Sequence, residues 1–225
     1  MKNPSPSLPA EAHATSARTG LQRRIIGIAT STALSLGLGI ASLLAQGPVP
    51  GDVAITGALQ RVFADTSGLM LQVTATAKMP ALAATTLVAC ALTGVALGAL
   101  YALGPVIALG AALAVDALAR TGLFVPRPAP SLVSVLETST SSGLPSTFGL
   151  VYGALFACPW WGRRGGATTW TVRAVTGIIL AVGILARVVP GGHWPSQLIA
   201  SMAFGALLAV GAVMVLERFS SLGTR

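Results

Sequence analysis

Charged residues are scarce in this chain. They make up 9% of its 225 residues, against 53% hydrophobic residues, and the mean hydropathy is +0.78. A soluble domain carries roughly 25% charged residues, so the shortage argues against a water-soluble globular protein. The sequence instead predicts an integral membrane protein, with the bilayer as a partner and enough apolar length for several crossings of about 20 residues each.

Cysteine and histidine are equally rare, with two of each. Cys90 and Cys158 lie inside or at the end of apolar runs, and their spacing matches no metal-ligand pattern. We therefore interpret them as apolar packing residues and predict neither a metal nor a cofactor. Basic residues outnumber acidic ones by 14 to 6, but they form no basic helix face and no aromatic stacking platform, so nucleic acid is not an expected partner.

The apolar runs predict an all-α membrane protein with six transmembrane helices. The predicted spans are Ile25–Ala45, Leu82–Leu100, Pro105 to about Ala119, the run from Pro145 to Trp161, Ala174–Ile184 and Pro195–Leu216. The six-span domain would occupy residues 25–218, between a disordered cytoplasmic tail at 1–24 and a short cytoplasmic tail at 219–225. The connector Gln46–Lys78 is predicted to be amphiphilic with short helices, and residues 121–145 form a long loop rich in Pro, Ser and Thr.

The distribution of basic residues predicts an orientation. Six spans place both termini on one side, and the positive-inside rule makes that side cytoplasmic, in the plasma membrane. The inner set is Lys2, Arg18, Arg23, Arg24, Arg163, Arg164, Arg173, Arg218 and Arg225; the outer set is Arg61, Lys78, Arg120, Arg127 and Arg187. Arg23-Arg24 fit a twin-arginine export signal or a plain cytoplasmic flank, and the lengths of the leader and the first span favour the flank. Arg163-Arg164 are interpreted as topology determinants that also suit anionic lipid.

Polar residues gather at the outer ends of four predicted helices. Arg120 ends the third span and Arg127 follows it, while Ser146 opens the fourth span. Arg187 ends the fifth span, and His193 precedes the sixth. Guanidinium groups at one depth repel each other unless an anion joins them, and ionisable residues at membrane depth indicate function. Together with a hydroxyl and helix N-terminal N–H groups, they predict a phosphate site.

Three segments in this region resemble a known family. They are "RTGLFVPRP" (120–128), "PSTF" (145–148) and "ARVVPGGHWPSQ" (186–197). In order and internal spacing they are similar to the K-x6-R-P, P-S-G-H and S-R-x5-H-x3-D motifs of the type 2 phosphatidic acid phosphatase (PAP2) and vanadium haloperoxidase superfamily. The resemblance covers spans three to six, and it implies a PAP2-like helical bundle.

The resemblance also implies a role for each matching residue. His193 would be the nucleophile that becomes transiently phosphorylated, and Ser146 would donate a hydrogen bond to the phosphoryl group. Three arginines would cradle the phosphoryl oxygens, namely Arg120, Arg127 and Arg187. The implied function is a divergent membrane phosphatase that acts at the outer face on a phosphorylated or pyrophosphorylated (prenyl) lipid.

Two departures from the motifs leave a second function open. The histidine that protonates the leaving group in the family is Phe148 here, and the aspartate that orients the nucleophile is Gln197. A glutamine can accept a hydrogen bond from an imidazole N–H, but it cannot neutralise an imidazolium. The alternative is therefore a pseudophosphatase that binds phospholipid head groups or a partner protein. If the protein is an enzyme, a pyrophosphorylated substrate would need no proton donor, because its leaving group is stable as an anion. Alternatively, a substitute acid such as Glu137 would donate the proton.

The same residues have structural interpretations. Arg120 lies four residues after Asp116, the spacing of a salt bridge along one helix face. Without the motif, Arg187 would be interpreted as a basic residue whose long side chain extends to the membrane interface. Ser146, after a proline, suits a helix N-terminus regardless of any ligand. The spacing of the three motifs favours the functional interpretation for Arg187 and His193, and it leaves the interpretations of Asp116 and Arg120 balanced.

Overall fold

The computed structural model describes residues 10–136 and 138–222, with side chains from residue 20 to residue 221 apart from residue 137. All regular secondary structure in these ranges is helical. The helices are α1 (Ala10–Ala45), α2 (Asp52–Val62), α3 (Ser67–Ala75), α4 (Ala81–Leu97), α5 (Gly104–Ala119), α6 (Thr147–Phe156), α7 (Cys158–Trp161), α8 (Ala167–Val188) and α9 (Pro195–Leu222), with 3₁₀ turns at Ala64–Thr66 and Ala99–Leu103.

Four described helical segments are long and apolar enough to cross a membrane. They are Gly20–Ala45, Ala99–Ala119, Ala167–Val188 and Pro195–Ser221. They make the chain a membrane protein, as the sequence predicts. The other two predicted spans are shorter: α4 has 17 residues and α6 has 10. At about 1.5 Å per residue, α6 is roughly 15 Å long, half of a typical hydrocarbon core. The count of six spans therefore stays a prediction.

The predicted fourth span is divided because of a proline. α6 ends at Phe156, and the short helix α7 starts at Cys158 with Pro159 in its first turn. A proline lacks the backbone N–H that would continue the preceding helix, but it is well tolerated in a first turn. The segment therefore bends near Ala157 instead of continuing as one straight helix.

Helix α6 lies at the centre of the bundle. All its residues from Phe148 to Phe156 are buried, and it packs most extensively on α9. A Cβ atom on Gly153 would lie 2.1 Å from the Met202 carbonyl oxygen, and one on Gly205 would lie 2.3 Å from the Leu150 carbonyl oxygen. Close approach of two helix backbones at small residues is typical of membrane bundles. It sets the start of α6 beside the start of α9, where two of the three motifs lie.

The predicted connector forms short helices, α2 and α3, and they are tied to the turn between α8 and α9. The Gln60 side chain donates hydrogen bonds to the carbonyl oxygens of Ser134 and Val189, at 2.7 and 3.0 Å. The Thr74 hydroxyl donates to the Ala186 carbonyl oxygen at 2.9 Å. The connector thus packs on the segment that carries the third motif.

The ends of the chain differ in detail from the expected boundaries. Helix α1 begins at Ala10, within the segment predicted to be a disordered tail, and α9 continues past residue 218 to Leu222. Residues 1–9 and 223–225 lie outside the described residues, as does Glu137, the suggested substitute acid. The domain boundaries at residues 24 and 218 stay predictions.

Candidate active site

Four sequence-predicted site residues line one cavity of about 300 Å³. Arg120 follows the last residue of α5, and Arg187 lies in the last turn of α8. Arg127 comes from the long loop, and His193 lies just before α9. The full lining consists of Thr74, Ala77, Lys78, Arg120, Arg127, Ser139, Ser141, Thr147, Phe148, Arg187 and His193. The structure therefore brings the basic residues of the first and third motifs together around the histidine.

The "PGG" turn at residues 190–192, between α8 and α9, has a backbone geometry that requires its two glycines. Gly191 has φ +71°, and a Cβ atom there would lie 2.3 Å from the Ser134 carbonyl oxygen. A Cβ atom on Gly192 would lie 2.8 Å from the Arg187 guanidinium carbon. The backbone N–H groups of Gly192 and His193 both donate to the Arg187 carbonyl oxygen, at 2.9 and 3.3 Å. The turn thus folds back on Arg187 and fixes the histidine next to it.

His193 is almost fully buried, with 2% of its surface exposed. Its Nδ1 lies 2.9 Å from the Gly143 carbonyl oxygen. Because a carbonyl only accepts, Nδ1 carries the proton in this hydrogen bond, and in the neutral ring the Nε2 lone pair remains for the cavity. Burial lowers the pKa of His193 well below its usual value, and the neighbouring Arg187 and Arg127 lower it further. The neutral, nucleophilic form is therefore the favoured one.

Arg127 is held in place by the loop that follows it. Its Nε donates to the Ser141 carbonyl oxygen at 2.9 Å, and its Nη2 donates to the Ser141 hydroxyl at 2.7 Å. Its Nη1 donates to the Gly192 carbonyl oxygen at 3.3 Å. These contacts link the first motif to the glycine turn of the third and orient the guanidinium without a ligand.

Arg120 is both the partner of Asp116 in an ion pair and a residue of the cavity lining, the two interpretations between which the sequence did not decide. Its Nε donates to the Asp116 carboxylate at 2.9 Å, one helical turn earlier, and its Nη2 donates to the Thr147 hydroxyl. The Thr147 hydroxyl also lies 3.0 Å from Asp116 Oδ1. Arg120 therefore forms a structural ion pair and lines the cavity as well, because Asp116 and Thr147 hold it there.

Ser146 and Gln197 do not line the cavity. Ser146 is fully buried as the N-cap of α6, where its hydroxyl accepts a hydrogen bond from the Gly149 N–H at 3.3 Å. The neighbouring Thr147 presents its hydroxyl to the cavity instead. The phosphate-binding role of Ser146 stays a prediction, and the observed contact is the helix cap that its sequence position also suits.

Gln197 is fully buried and contacts the loops that support the site. Its Nε2 donates to the Pro126 carbonyl oxygen at 2.8 Å, next to Arg127. Its Oε1 lies 2.5 Å from where a Cβ atom on Gly143 would be. Nδ1 of His193 donates its described hydrogen bond to the Gly143 carbonyl oxygen. Gln197 therefore packs against Gly143, the residue whose carbonyl oxygen is hydrogen-bonded to His193.

Phe148 occupies the position of the missing acid. Its ring lines the cavity, is 5% exposed, and stacks on Tyr152 with ring centroids 4.1 Å apart. The residue at this position of the motif is thus an apolar ring in the cavity lining, and it has no proton to donate.

Two supporting residues were not singled out from the sequence. Lys78 lines the cavity, although the sequence placed it only among the outer basic residues. The sequence feature that could have identified Lys78 is its positive charge just before a predicted span on the outer side, where the positive-inside rule disfavours basic residues. Asp52, which is buried, accepts hydrogen bonds from the Ser196 N–H at 3.0 Å and the Ser196 hydroxyl at 2.6 Å. Asp52 thereby caps the start of α9 at Ser196, and no local pattern predicts a contact between residues so far apart in the sequence.

The arrangement has the parts of an oxyanion site. Lys78 and three arginines supply positive charge, hydroxyl groups supply hydrogen bonds, and a neutral imidazole supplies a lone pair. Phosphoryl transfer depends mainly on such positioning and charge stabilisation. Within the described residues, no group of three His, Cys, Asp or Glu side chains is arranged to hold a metal ion.

Comparison with known proteins supports the fold. No protein-family model matches the chain, and no curated protein matches its sequence. Among solved structures, it is similar to the crystal structure of a transmembrane PAP2-type phosphatidylglycerolphosphate phosphatase from Bacillus subtilis. The TM-score is 0.60 at 14% identity, over 88% of this chain and 96% of that one. The chain therefore has the fold of a PAP2-type transmembrane phosphatase.

Proposed function

We propose that this protein is a membrane lipid phosphatase that works through a phosphohistidine intermediate on His193. One observation carries the proposal: a buried histidine, with Nδ1 bonded to a backbone carbonyl, lines a cavity together with Lys78, Arg120, Arg127 and Arg187. The PAP2 fold supports the same assignment. The proposed substrate is a phosphorylated or pyrophosphorylated (prenyl) lipid in the bilayer.

In the proposed first step, Nε2 of His193 attacks the terminal phosphorus. The bond between phosphorus and the leaving oxygen breaks, and that oxygen keeps the electron pair. Arg127 and Arg187 stabilise the charge on the phosphoryl oxygens, as the pre-oriented contacts of Arg127 suggest. Water then attacks the phosphorus, and the bond between phosphorus and Nε2 breaks with its electron pair returning to Nε2. The protons of the water leave with the inorganic phosphate, so the imidazole is neutral again.

The leaving group decides which lipid suits this site. An alkoxide from a monophosphate lipid needs a proton as it leaves, and Phe148 has none to give. A phosphate group that leaves from a diphosphate is stable as an anion. Lys78, which lies in the same cavity, is a cation suited to that second phosphate. We therefore propose that diphosphate lipids are turned over faster than monophosphate lipids.

A second candidate function is a pseudophosphatase that binds a phospholipid head group or a partner protein without turnover. The observation that favours it is the buried ring of Phe148 in the cavity. A general acid is worth about 10² to 10⁴ in rate, so its loss alone is enough to make turnover of a monophosphate slow.

Phosphate release from matched lipids separates the two candidates. Purified protein is assayed with a prenyl diphosphate and with the corresponding monophosphate, beside His193→Ala and a control, Arg61→Gln, outside the cavity. The enzyme hypothesis expects release from the diphosphate, an acid-labile phosphohistidine in the parent, and loss of both in His193→Ala. Undiminished turnover in His193→Ala would exclude this nucleophile. Binding of both lipids without turnover would establish the pseudophosphatase instead.

The topology is part of the proposal. We propose six crossings, both termini in the cytoplasm, and the cavity at the outer face of the plasma membrane, in keeping with the positive-inside rule. Single cysteines introduced at Ser139 and at Arg163, in a background without Cys90 and Cys158, test it. A membrane-impermeant thiol reagent applied to intact cells should label the first site and not the second.

A further inference from the structure

A second basic cleft lies at the end of the bundle opposite the candidate active site. Its volume is about 670 Å³, more than twice that of the His193 cavity. It lies between α1, the end of α4, the loop before α8 and the last turns of α9. Its lining consists of Arg24, Leu97, Tyr101, Gly162, Arg163, Arg164, Met214, Glu217, Arg218, Ser220 and Ser221.

The cleft carries an excess of positive charge. Four of its described lining residues are arginines and one is an acid, Glu217. The Glu217 carboxylate is engaged by Arg24, whose Nη1 and Nη2 each donate to it at 2.8 Å. Arg163 lies 3.9 Å from the same carboxylate with 74% of its side chain exposed. Arg164 and Arg218, also exposed, therefore add charge that Glu217 does not balance.

The loop that carries Arg163 and Arg164 is held in place by a buried arginine, Arg173. Arg173 is 7% exposed and donates hydrogen bonds to the carbonyl oxygens of Pro159, Gly162 and Arg164, at 3.0, 2.9 and 3.3 Å. This anchoring fixes the backbone on which Arg163 and Arg164 lie. The backbone that carries both arginines is therefore ordered before any ligand binds, which lowers the entropic cost of binding.

The surroundings of the cleft match the level of lipid head groups. Trp160 and Trp170, at the same end of the bundle, are 44% and 47% exposed, as tryptophans at a membrane interface are. Leu97, Tyr101 and Met214 add apolar atoms to the lining, and Met214 lies one helical turn before Arg218 in α9, toward the middle of the bundle. A cationic rim above an apolar wall complements an anionic head group with acyl chains beneath it, and basic pockets between transmembrane helices bind such lipids.

We propose that this cleft is a binding site for an anionic phospholipid, separate from the site of His193. The phosphodiester lies among Arg163, Arg164 and Arg218, and its acyl chains lie along Met214 and Tyr101. The proposal requires no turnover, so it stands whether or not the protein is a phosphatase. A free anion would use the same guanidinium groups but not the apolar wall.

Quenching of tryptophan fluorescence by brominated lipids tests the site, because Trp160 lines an adjoining cavity together with Arg163 and Arg164. The full chain is reconstituted in vesicles of phosphatidylcholine with increasing brominated phosphatidylglycerol, and separately with brominated phosphatidylcholine. Each guanidinium near an anionic surface contributes about a fivefold change in affinity. We therefore expect preferential quenching by phosphatidylglycerol, and a loss of affinity of about a hundredfold in Arg163→Gln/Arg164→Gln/Arg218→Gln.

The controls keep the outcome specific. Arg61→Gln should keep the lipid preference, because Arg61 lines neither this cleft nor the His193 cavity. The three single variants, each expected to lose about fivefold, replace the triple variant if it does not fold. Equal quenching by the two lipids, or an unchanged preference in the arginine variants, would overturn the proposal. Competition by millimolar inorganic phosphate in place of lipid would overturn its assignment to a phospholipid.

Discussion

Replacing Phe148 with histidine restores the residue type that the family motif has at the position of the missing acid. The Phe148 ring lines the cavity in the first turn of α6 and stacks on Tyr152 at 4.1 Å. Imidazole is smaller than phenyl, so the change requires no additional space. The substituted side chain enters the cavity that already contains His193, and it brings a proton that the parent protein lacks there.

The expected gain depends on the leaving group. A positioned general acid contributes about 10² to 10⁴ in rate, and we allow a loss of one decade at the lower limit because no second residue orients the new ring. We therefore expect Phe148→His to raise kcat/KM for a lipid monophosphate by about tenfold or more. The diphosphate should change by less than about threefold, since its leaving group needs no proton.

The assay is phosphate release from a matched prenyl monophosphate and diphosphate, measured from pH 5 to pH 8. Burial and the neighbouring arginines lower the pKa of His193; we expect the same direction for an imidazole at position 148, so the gain should grow as the pH falls. Phe148→Leu is the matched control, because it stays apolar and donates no proton. If Phe148→His left the ratio of the two rates unchanged over this range in a folded and active protein, the missing acid would not explain the substrate preference.

Three further predictions address the rest of the cavity. Lys78→Gln should lower kcat/KM for the diphosphate by about tenfold, the value of one hydrogen bond to a charged group, and affect the monophosphate less; parallel assays of Arg61→Gln provide the control. Gly192→Ala should weaken vanadate inhibition, because a Cβ atom would lie 2.8 Å from the Arg187 guanidinium carbon and displace it; unaltered inhibition would contradict this. The acid limb of kcat/KM should lie below pH 6.5, because burial and nearby arginines lower the pKa of His193 and keep it neutral as the pH falls. A limb at pH 6.5, after correction for the substrate's own titration by phosphorus NMR, would refute it.

Spacing along the chain was enough to predict the convergence of the basic residues. Arg120, Arg187 and His193 each lie at the end of an apolar run, and the ends of neighbouring helices meet at one face of a bundle. This convergence depends on local pattern and helix length, which a single sequence carries. The reason for the glycines at 191 and 192 needed the structure, since Gly191 has positive φ and Gly192 faces the Arg187 guanidinium.

The remaining features of the site depend on tertiary contacts between segments that are distant in sequence. Asp52 caps α9 from 144 residues away, and Lys78 enters the cavity because the connector packs on the turn between α8 and α9. Hydropathy treats that connector as an amphiphilic linker and gives no indication of its docking. The proline that divides the fourth predicted span, Pro159, can be seen in the sequence. The length of the surrounding apolar run nevertheless favours the prediction of one continuous span.

The two departures from the family motifs have different physical consequences. Gln197 stands where the family motif has an aspartate, and the Gly143 carbonyl oxygen accepts the hydrogen bond from Nδ1 of His193 instead, while Gln197 packs against Gly143. A backbone carbonyl fixes the same tautomer as a carboxylate would, although it adds no full negative charge. At Phe148, by contrast, the ring itself fills the acid's position. If His193 is the nucleophile, as we propose, the site keeps a means to orient it while it lacks an acid at position 148, and that combination favours a leaving group that is already a stable anion.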